Sequence, residues 1–211
     1  MRQAIAASVS RSWREIPHFT VTMEIGMDAC REIVGELKGN EHQVGYNAII
    51  IKACATALNN FPLLHPAPAA SDGGIAISFA VSLAEGLMMP VIRQCQRLSL
   101  AEIEREAANL IDKSRAGKLT SAEMSGGSFS LSNLGMYGVD EFSALILPGQ
   151  TATLALGAVA QRPVVRDGQI TPSYTMRVTL SCDHRVIDGA YAARFLAELR
   201  SVLERPVSLL I

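Results

Sequence analysis

The stretch Leu180-Ser181-Cys182-Asp183-His184-Arg185-Val186-Ile187-Asp188-Gly189-Ala190 joins an apolar strand to a helix through a polar turn. The strand is expected over Tyr174 to Cys182. The helix is expected from about Ala190 to Glu204, with Leu196, Leu199 and Leu203 inward and Pro206 as its stop. Titratable groups on such a turn are held by rigid elements and stay accessible. His184 is the natural general base there, because an unperturbed imidazole has a pKa of about 6.5. Asp188 follows four residues on, and Gly189 permits a tight turn before the helix. The same residues also read as a histidine packed beside an aspartate that caps the last helix. One His and one Asp at this spacing leave both readings open.

Outward from the turn, strands and helices are mixed. Thr151 to Val159 is a second apolar strand, and Ser128 to Ser132 alternates Phe129 and Leu131 with serines. His18 to Ile25 alternates Phe19, Val21, Met23 and Ile25 with other residues, again a strand. Ile75 to Leu83 and Leu87 to Ile92 read as two more, joined near Glu85-Gly86. Helices are expected over residues 2–14, from Asp28 to about Lys38, and from Ala48 to Asn60 with Asn47 as cap. The last of these is apolar nearly all round, so it is expected to be buried. Ser99 and Glu102 form a capping box opening a helix that Gly117 closes, and Thr120 and Glu123 form another over a short helix. The order lacks the regular βαβ rhythm of a doubly wound sheet. We expect an α+β protein, a two-layer sandwich of mixed β-sheet and helices, as one domain over 1–211.

Composition removes several classes. With 49% hydrophobic and 18% charged residues, the chain is too apolar for a disordered tail. Nothing in its formal charge of −1 demands a basic face, and 5% aromatic content supplies few stacking platforms, so a nucleic-acid partner is not expected. Cys30, Cys54, Cys95 and Cys182 lie far apart with no CxxC pair, which disfavours a zinc site and a secreted disulfide scaffold. Cys182 is expected to be a core thiol rather than a nucleophile. Apolar runs fall short of the roughly 20 residues that span a bilayer, and the N-terminus lacks the apolar stretch of a signal peptide. The expectation is a protein with no membrane partner, placed in the cytoplasm, or in an organelle matrix if eukaryotic.

His184-Arg185-Val186-Ile187-Asp188-Gly189 resembles the HRxxDG signature of the dihydrolipoyl acyltransferases, which form the cores of 2-oxo-acid dehydrogenase complexes. Chloramphenicol acetyltransferase is a relative with a similar HxxxDG. Ile16-Pro17-His18-Phe19, Ala116-Gly117-Lys118-Leu119, the run from Gly126 to Met136 and Pro163 to Gly168 are similar to the same family, in order along the chain. The resemblance implies a chloramphenicol acetyltransferase-like fold and a thiol-to-thioester acyl transfer. His184 would take the proton of a thiol, which near pKa 8.5 is only a few per cent thiolate at neutral pH. The thiol would belong to coenzyme A or to dihydrolipoamide. The Ser132 hydroxyl would donate to the oxyanion, and Asp188, with Arg14 as a partner, would support the local geometry. Asn47, His18, Asn133, Arg185 and Gly189 are the implied substrate- or cofactor-binding residues.

The same resemblance implies that coenzyme A enters as a substrate and that no metal takes part. It also implies a lipoyl group supplied by another domain or chain, because the only Asp-Lys pair, Asp112-Lys113, falls inside a predicted helix. No lipoyl or peripheral subunit-binding domain is expected within the chain. Implied partners are a homotrimer with its active site between subunits, a further cubic or dodecahedral core, a lipoyl-bearing domain, and the dehydrogenase components of the complex. The segment Ser132-Asn133-Leu134-Gly135-Met136 points to acetyl as the acyl group. Val44-Gly45-Tyr46-Asn47 keeps the asparagine of the family's VND-like motif but not the small or basic residues before it. Two other readings stand beside this one: a free-standing coenzyme A-dependent acetyltransferase acting on a small acceptor, and a non-catalytic core scaffold. Retention of His184, Asp188 and Ser132 argues against the scaffold.

Overall fold

The computed structural model describes residues 2–37, 44–66, 74–84 and 86–209. Along these the order is α1 (Arg2–Glu15), β1 (His18–Gly26), α2 (Asp28–Leu37), α3 (Tyr46–Leu58), β2 (Ile77–Phe79), β3 (Val81–Leu83), β4 (Gly86–Met88), β5 (Val91–Ile92), α4 (Leu100–Arg115), β6 (Phe129–Asn133), β7 (Ala152–Leu156), β8 (Ala160–Arg166), β9 (Gln169–Asp183) and α5 (Gly189–Glu204). Seven strands form one mixed sheet in the order β1-β9-β7-β6-β2-β5, with β8 also on β9, while β3 and β4 make a separate ribbon. β2, β6 and β7 run parallel to one another, and the remaining pairs are antiparallel. This is the expected α+β sandwich.

The long β9 organises the sheet. Thr175 to Asp183 pairs with β1 along one edge, and the other edge takes β8 first and β7 after it. Because side chains alternate along a strand, register fixes two faces. Phe129 and Leu131, Leu154 and Leu156, and Val178, Leu180 and Cys182 share one face and are buried. In the same core cluster lie Ile49, Ile50 and Ile51 of α3, Ile103 and Leu110 of α4, and Phe195 and Leu199 of α5. Each such side chain contributes roughly 1.5–3 kcal/mol on full burial. The opposite face carries Ser130, Ser132, Thr153, Thr179, Ser181 and Asp183. Residues 139–150 run along it without regular structure. Gln150 Oε1 accepts from Ser130 Oγ at 2.6 Å, Asp140 Oδ1 from Arg162 at 2.5 Å, and Glu141 Oε2 from Arg177 at 3.1 Å.

α3 is buried nearly all round, as its sequence predicts, and holds a buried charge. Lys52 is 8% exposed, and its Nζ donates to the carbonyls of Gln96 at 3.2 Å and Leu98 at 2.6 Å. Lys52→Met keeps the stem but strands both carbonyls. We expect a loss of about 1–3 kcal/mol in stability, read as a lower urea midpoint. An unchanged midpoint would show that other donors satisfy those carbonyls.

The structure differs from the sequence expectation in several places. α3 opens at Tyr46 with Gly45 as its N-cap, so Asn47 lies inside the first turn rather than capping it. Its cap comes from a different helix: the Gly45 N–H donates to Glu104 Oε2 of α4 at 2.8 Å. The run Ile75 to Leu83 splits at Ala80, whose N–H turns to the Leu131 carbonyl. β8 was not expected as a strand. It forms a hairpin with the first half of β9 through Asp167 and Gly168, both with positive φ, the geometry of a tight hairpin turn. The helix expected after Thr120 is one 3₁₀ turn, Ala122–Met124. The Ser99–Glu102 capping box forms as expected. The helix end expected at about Lys38 lies outside the described residues. Among the described residues, no helix is long and apolar enough to cross a membrane.

Candidate active site

The turn between β9 and α5 is pinned from both sides. Asp183 N–H donates to the Thr151 carbonyl at 2.9 Å, and His184 N–H donates to the Pro17 carbonyl at 3.0 Å. The Asp183 carbonyl accepts from the N–H groups of Val186 and Ile187 at 3.1 and 3.0 Å, and buried Ile187 anchors the turn below. Asp188 caps α5, its Oδ1 accepting from Tyr191 N–H at 2.7 Å. The capping role read for Asp188 is therefore real. Gly189 opens α5 without a positive φ, and a Cβ there would meet open space, so nothing in the backbone requires glycine.

His184 stands exposed on this turn, its ring 4.6 Å from that of Phe19 and tilted by 50°. Among the described residues its imidazole nitrogens make no hydrogen bond, which leaves them available to a ligand. Its neighbours are committed elsewhere. Asp183 is 3% exposed and holds a 2.6 Å ion pair with Arg185, whose hydrogen bonds keep the carboxyl below the usual carboxylate range. Arg185, expected to bind substrate, thus spends its guanidinium on its own chain. His18 has both ring nitrogens occupied. Nε2 accepts from Ile146 N–H at 3.2 Å, so Nδ1 carries the proton donated to the Ile16 carbonyl at 2.8 Å. The imidazole of His18 is a strut in the wall of the site. Arg14 donates to the Ser10 carbonyl and does not reach Asp188 within the chain. Cys182 is fully buried, and burial pushes its thiol up to about 12, which removes it as a nucleophile.

The other expected residues gather elsewhere. Ser132 is half-buried near the end of β6, its hydroxyl without a hydrogen-bond partner among the described residues. Asn133 Nδ2 donates to Asn47 Oδ1 at 2.8 Å, and Asn133 Oδ1 accepts from Gly135 N–H at 2.8 Å. Gly135 is required there: a Cβ would lie 2.7 Å from the Gly157 carbonyl oxygen. Beside this pair opens a cavity of about 390 Å³, lined among others by Tyr46, Asn47, Glu104, Asn133, Met136 and Val159. That volume suits a small ligand or the arm of a larger one. Tyr46, Glu104 and Val159 were not legible as site residues, because helix and strand periodicity says nothing about which elements meet.

The two groups are far apart. Ser132 pairs through Ala155 to Thr179, five residues before His184 on β9. At about 3.3 Å per residue and 4.8 Å per strand, the separation is roughly 19 Å. They also start from opposite faces, since Phe19, against His184, shares the face of Cys182. A hydrogen-bonding group reaches only about 3 Å, so within one chain the two side chains do not meet at a single ligand atom. Among the described residues, no group of three or more His, Cys, Asp or Glu side chains is arranged to hold a metal ion.

The fold is shared with chloramphenicol acetyltransferase, at a TM-score of 0.54 and 15% identity, a likeness of fold alone. Within that class the chain belongs to the 2-oxoacid dehydrogenases acyltransferase (catalytic domain) family, whose model matches residues 1–211. It is 35% identical over 220 residues to the dihydrolipoyllysine-residue acetyltransferase component of the pyruvate dehydrogenase complex of Rickettsia felis, covering 100% of this chain and 53% of that protein. The chain thus spans about half the length of the curated relatives it matches. The solved cubic core of a pyruvate dehydrogenase multienzyme complex superposes with a TM-score of 0.91 at 31% identity, covering 100% of this chain and 90% of that one. Azotobacter vinelandii dihydrolipoamide acetyltransferase superposes equally well, with a TM-score of 0.91, 30% identity and the same coverage. There a serine, a histidine and an asparagine were investigated for their role in the catalytic mechanism. That serine precedes the histidine by the same number of residues that separates Ser132 from His184, and the asparagine follows by four, as Asp188 does here.

Proposed function

We propose that this chain is the catalytic part of an acyltransferase that moves an acetyl group between dihydrolipoamide and coenzyme A. The observation that carries the reading is the pinned, exposed His184, with free ring nitrogens, in the sequence spacing of the Azotobacter enzyme. His184 takes the proton from the attacking thiol, and the thiolate adds to the thioester carbonyl carbon. The tetrahedral intermediate places its negative charge on oxygen, which accepts a hydrogen bond from the Ser132 hydroxyl. Collapse expels the second thiolate, which takes the proton back from the imidazolium. The lipoyl arm comes from another domain or chain, and the Asn47–Asn133 cavity receives the amide-bearing arm of a thiol substrate.

The separation of Ser132 from His184 supports a homotrimer in which one subunit offers the base and its neighbour the oxyanion donor. The likeness to a cubic core supports assembly of such trimers into a cubic cage that carries the dehydrogenase components. The test is acyl transfer to free dihydrolipoamide from acetyl-, propionyl-, succinyl- and isobutyryl-coenzyme A. Acetyl transfer should be fastest, and transfer from none of the four overturns the reading. Ser132→Ala should lower kcat by about 10²–10³-fold with little change in KM, because its bond forms mainly in the transition state. A change confined to KM would make Ser132 a substrate contact instead.

A further inference from the structure

We propose that the Asp183–Arg185 ion pair is a positioning device for His184, and that Arg185 is not a contact for the anionic groups of the substrate. The inference rests on the reading of His184 as the base. The pair joins the residues immediately before and after His184. Asp183 Oδ1 accepts from Arg185 N–H and from Arg185 Nε, each at 3.0 Å. Asp183 Oδ2 accepts from Nε at 3.2 Å and from Nη2 at 2.6 Å. Backbone and side chain together close a ring across the histidine, with His184 Cα at its apex.

The two ends of this ring are unequal. Asp183 is the fixed end, 3% exposed on the polar face of the sheet and held through its N–H to the Thr151 carbonyl. Its own carbonyl takes the N–H groups of Val186 and Ile187. Arg185 is the free end, with its side chain 59% exposed, yet it folds back onto Asp183 rather than reaching into solvent. A buried carboxylate is costly unless it is paired and hydrogen-bonded. Here the pairing atoms come from Arg185, the residue next to the one that must be held still. Among the described residues, His184 has one ring contact, with Phe19, and its N–H on the Pro17 carbonyl, so the direction of its Cα–Cβ bond is set by the turn. Loosening that turn misaims the imidazole, and a misplacement of about 1 Å can cost on the order of 10²-fold in rate.

The experiment compares Asp183→Asn, Arg185→Gln, Arg185→Lys and the double Asp183→Asn/Arg185→Gln in the assembled protein, beside His184→Ala. We expect kcat to fall by roughly 10–10²-fold in Asp183→Asn and in Arg185→Gln, with KM for acetyl-coenzyme A within about threefold of normal. The double variant should lose no more than the worse single one, because both remove the same bond. Arg185→Lys, which keeps one charged donor, should recover part of the loss. An Arg185→Gln variant with normal kcat and a raised KM would overturn the proposal and make Arg185 a substrate contact. Additive losses in the double variant would also overturn it. Should the buried Asp183→Asn variant not fold, Arg185→Gln and Arg185→Lys carry the test alone, because their change lies at the exposed end. If His184→Ala is fully active, the acyltransfer reading itself fails. If His184→Ala is inert and Arg185→Gln is normal in both constants, only the positioning role fails.

Discussion

Replacing His184 by alanine is expected to lower acyl transfer by at least about 10²-fold while the protein keeps its fold. The imidazole is exposed and its nitrogens hold nothing among the described residues, so its loss breaks no internal hydrogen bond. What disappears is one tilted contact with Phe19, and surface substitutions of this kind change stability by roughly 0.5 kcal/mol or less. The rate falls for a separate reason. Without a base, the attacking thiol relies on the few per cent of thiolate present at neutral pH. Raising the pH should therefore restore part of the variant's rate by ionising the thiol directly. Steady-state rates from pH 6 to 9, with a thermal melt on the same samples, check both halves. Near-normal activity at neutral pH would remove His184 from the mechanism.

Two impaired variants are expected to regain activity when their chains assemble together. Ser132→Ala keeps the base, and His184→Ala keeps the oxyanion donor. If each active site takes His184 from one subunit and Ser132 from the next around a closed ring, a site is intact when its base comes from the first variant and its hydroxyl from the second. Random mixing of equal amounts leaves about one quarter of the sites intact, whatever the number of subunits in the ring. Co-expression of the two, with distinguishable tags and purification through both, should thus yield activity far above either variant alone. Mixing the purified assemblies without subunit exchange should give none. Activity no better than the sum of the parents after co-expression would place both groups in one chain's site, against the roughly 19 Å that separates them along and across the sheet.

Much of the architecture could be read from local pattern, and the exceptions share a cause. α3 announces itself by an apolar run too long for a strand, and α4 by Ser99 and Glu102, both signals carried within a few residues. β8 escaped because Val165 and Ile170 stand cross-strand and exposed at its hairpin, and Pro163 faces Pro172. Its partly buried face carries Ala160, Arg162 and Val164 and its exposed face Gln161, Pro163 and Val165, so apolar and polar residues do not alternate with burial. The start of α3 was misplaced because its cap, Glu104, lies on another helix, and no local signature reports a tertiary cap. For the site, the resemblance selected His184, Ser132 and Asp188, and the turn chemistry made His184 plausible on its own. Which of them meet depends on strand register, and register appears only once β6, β7 and β9 are laid side by side. The resemblance implies binding roles for His18 and Arg185, but local sequence does not show what their side chains meet. Their partners, Ile146 N–H and the Asp183 carboxylate, show what they hold instead.

The distance between Ser132 and His184 also bears on timing. On the proposed intersubunit site, a chain that has folded but not yet met another holds two half-sites and no whole one. It therefore cannot spend a thioester on water or on a stray thiol while it waits. Activity should rise with the concentration of chains more steeply than in proportion, lag behind the recovery of secondary structure after refolding, and vanish on dilution before the fold does. On that proposal, the sheet that keeps the two groups apart makes assembly the step that switches the catalyst on.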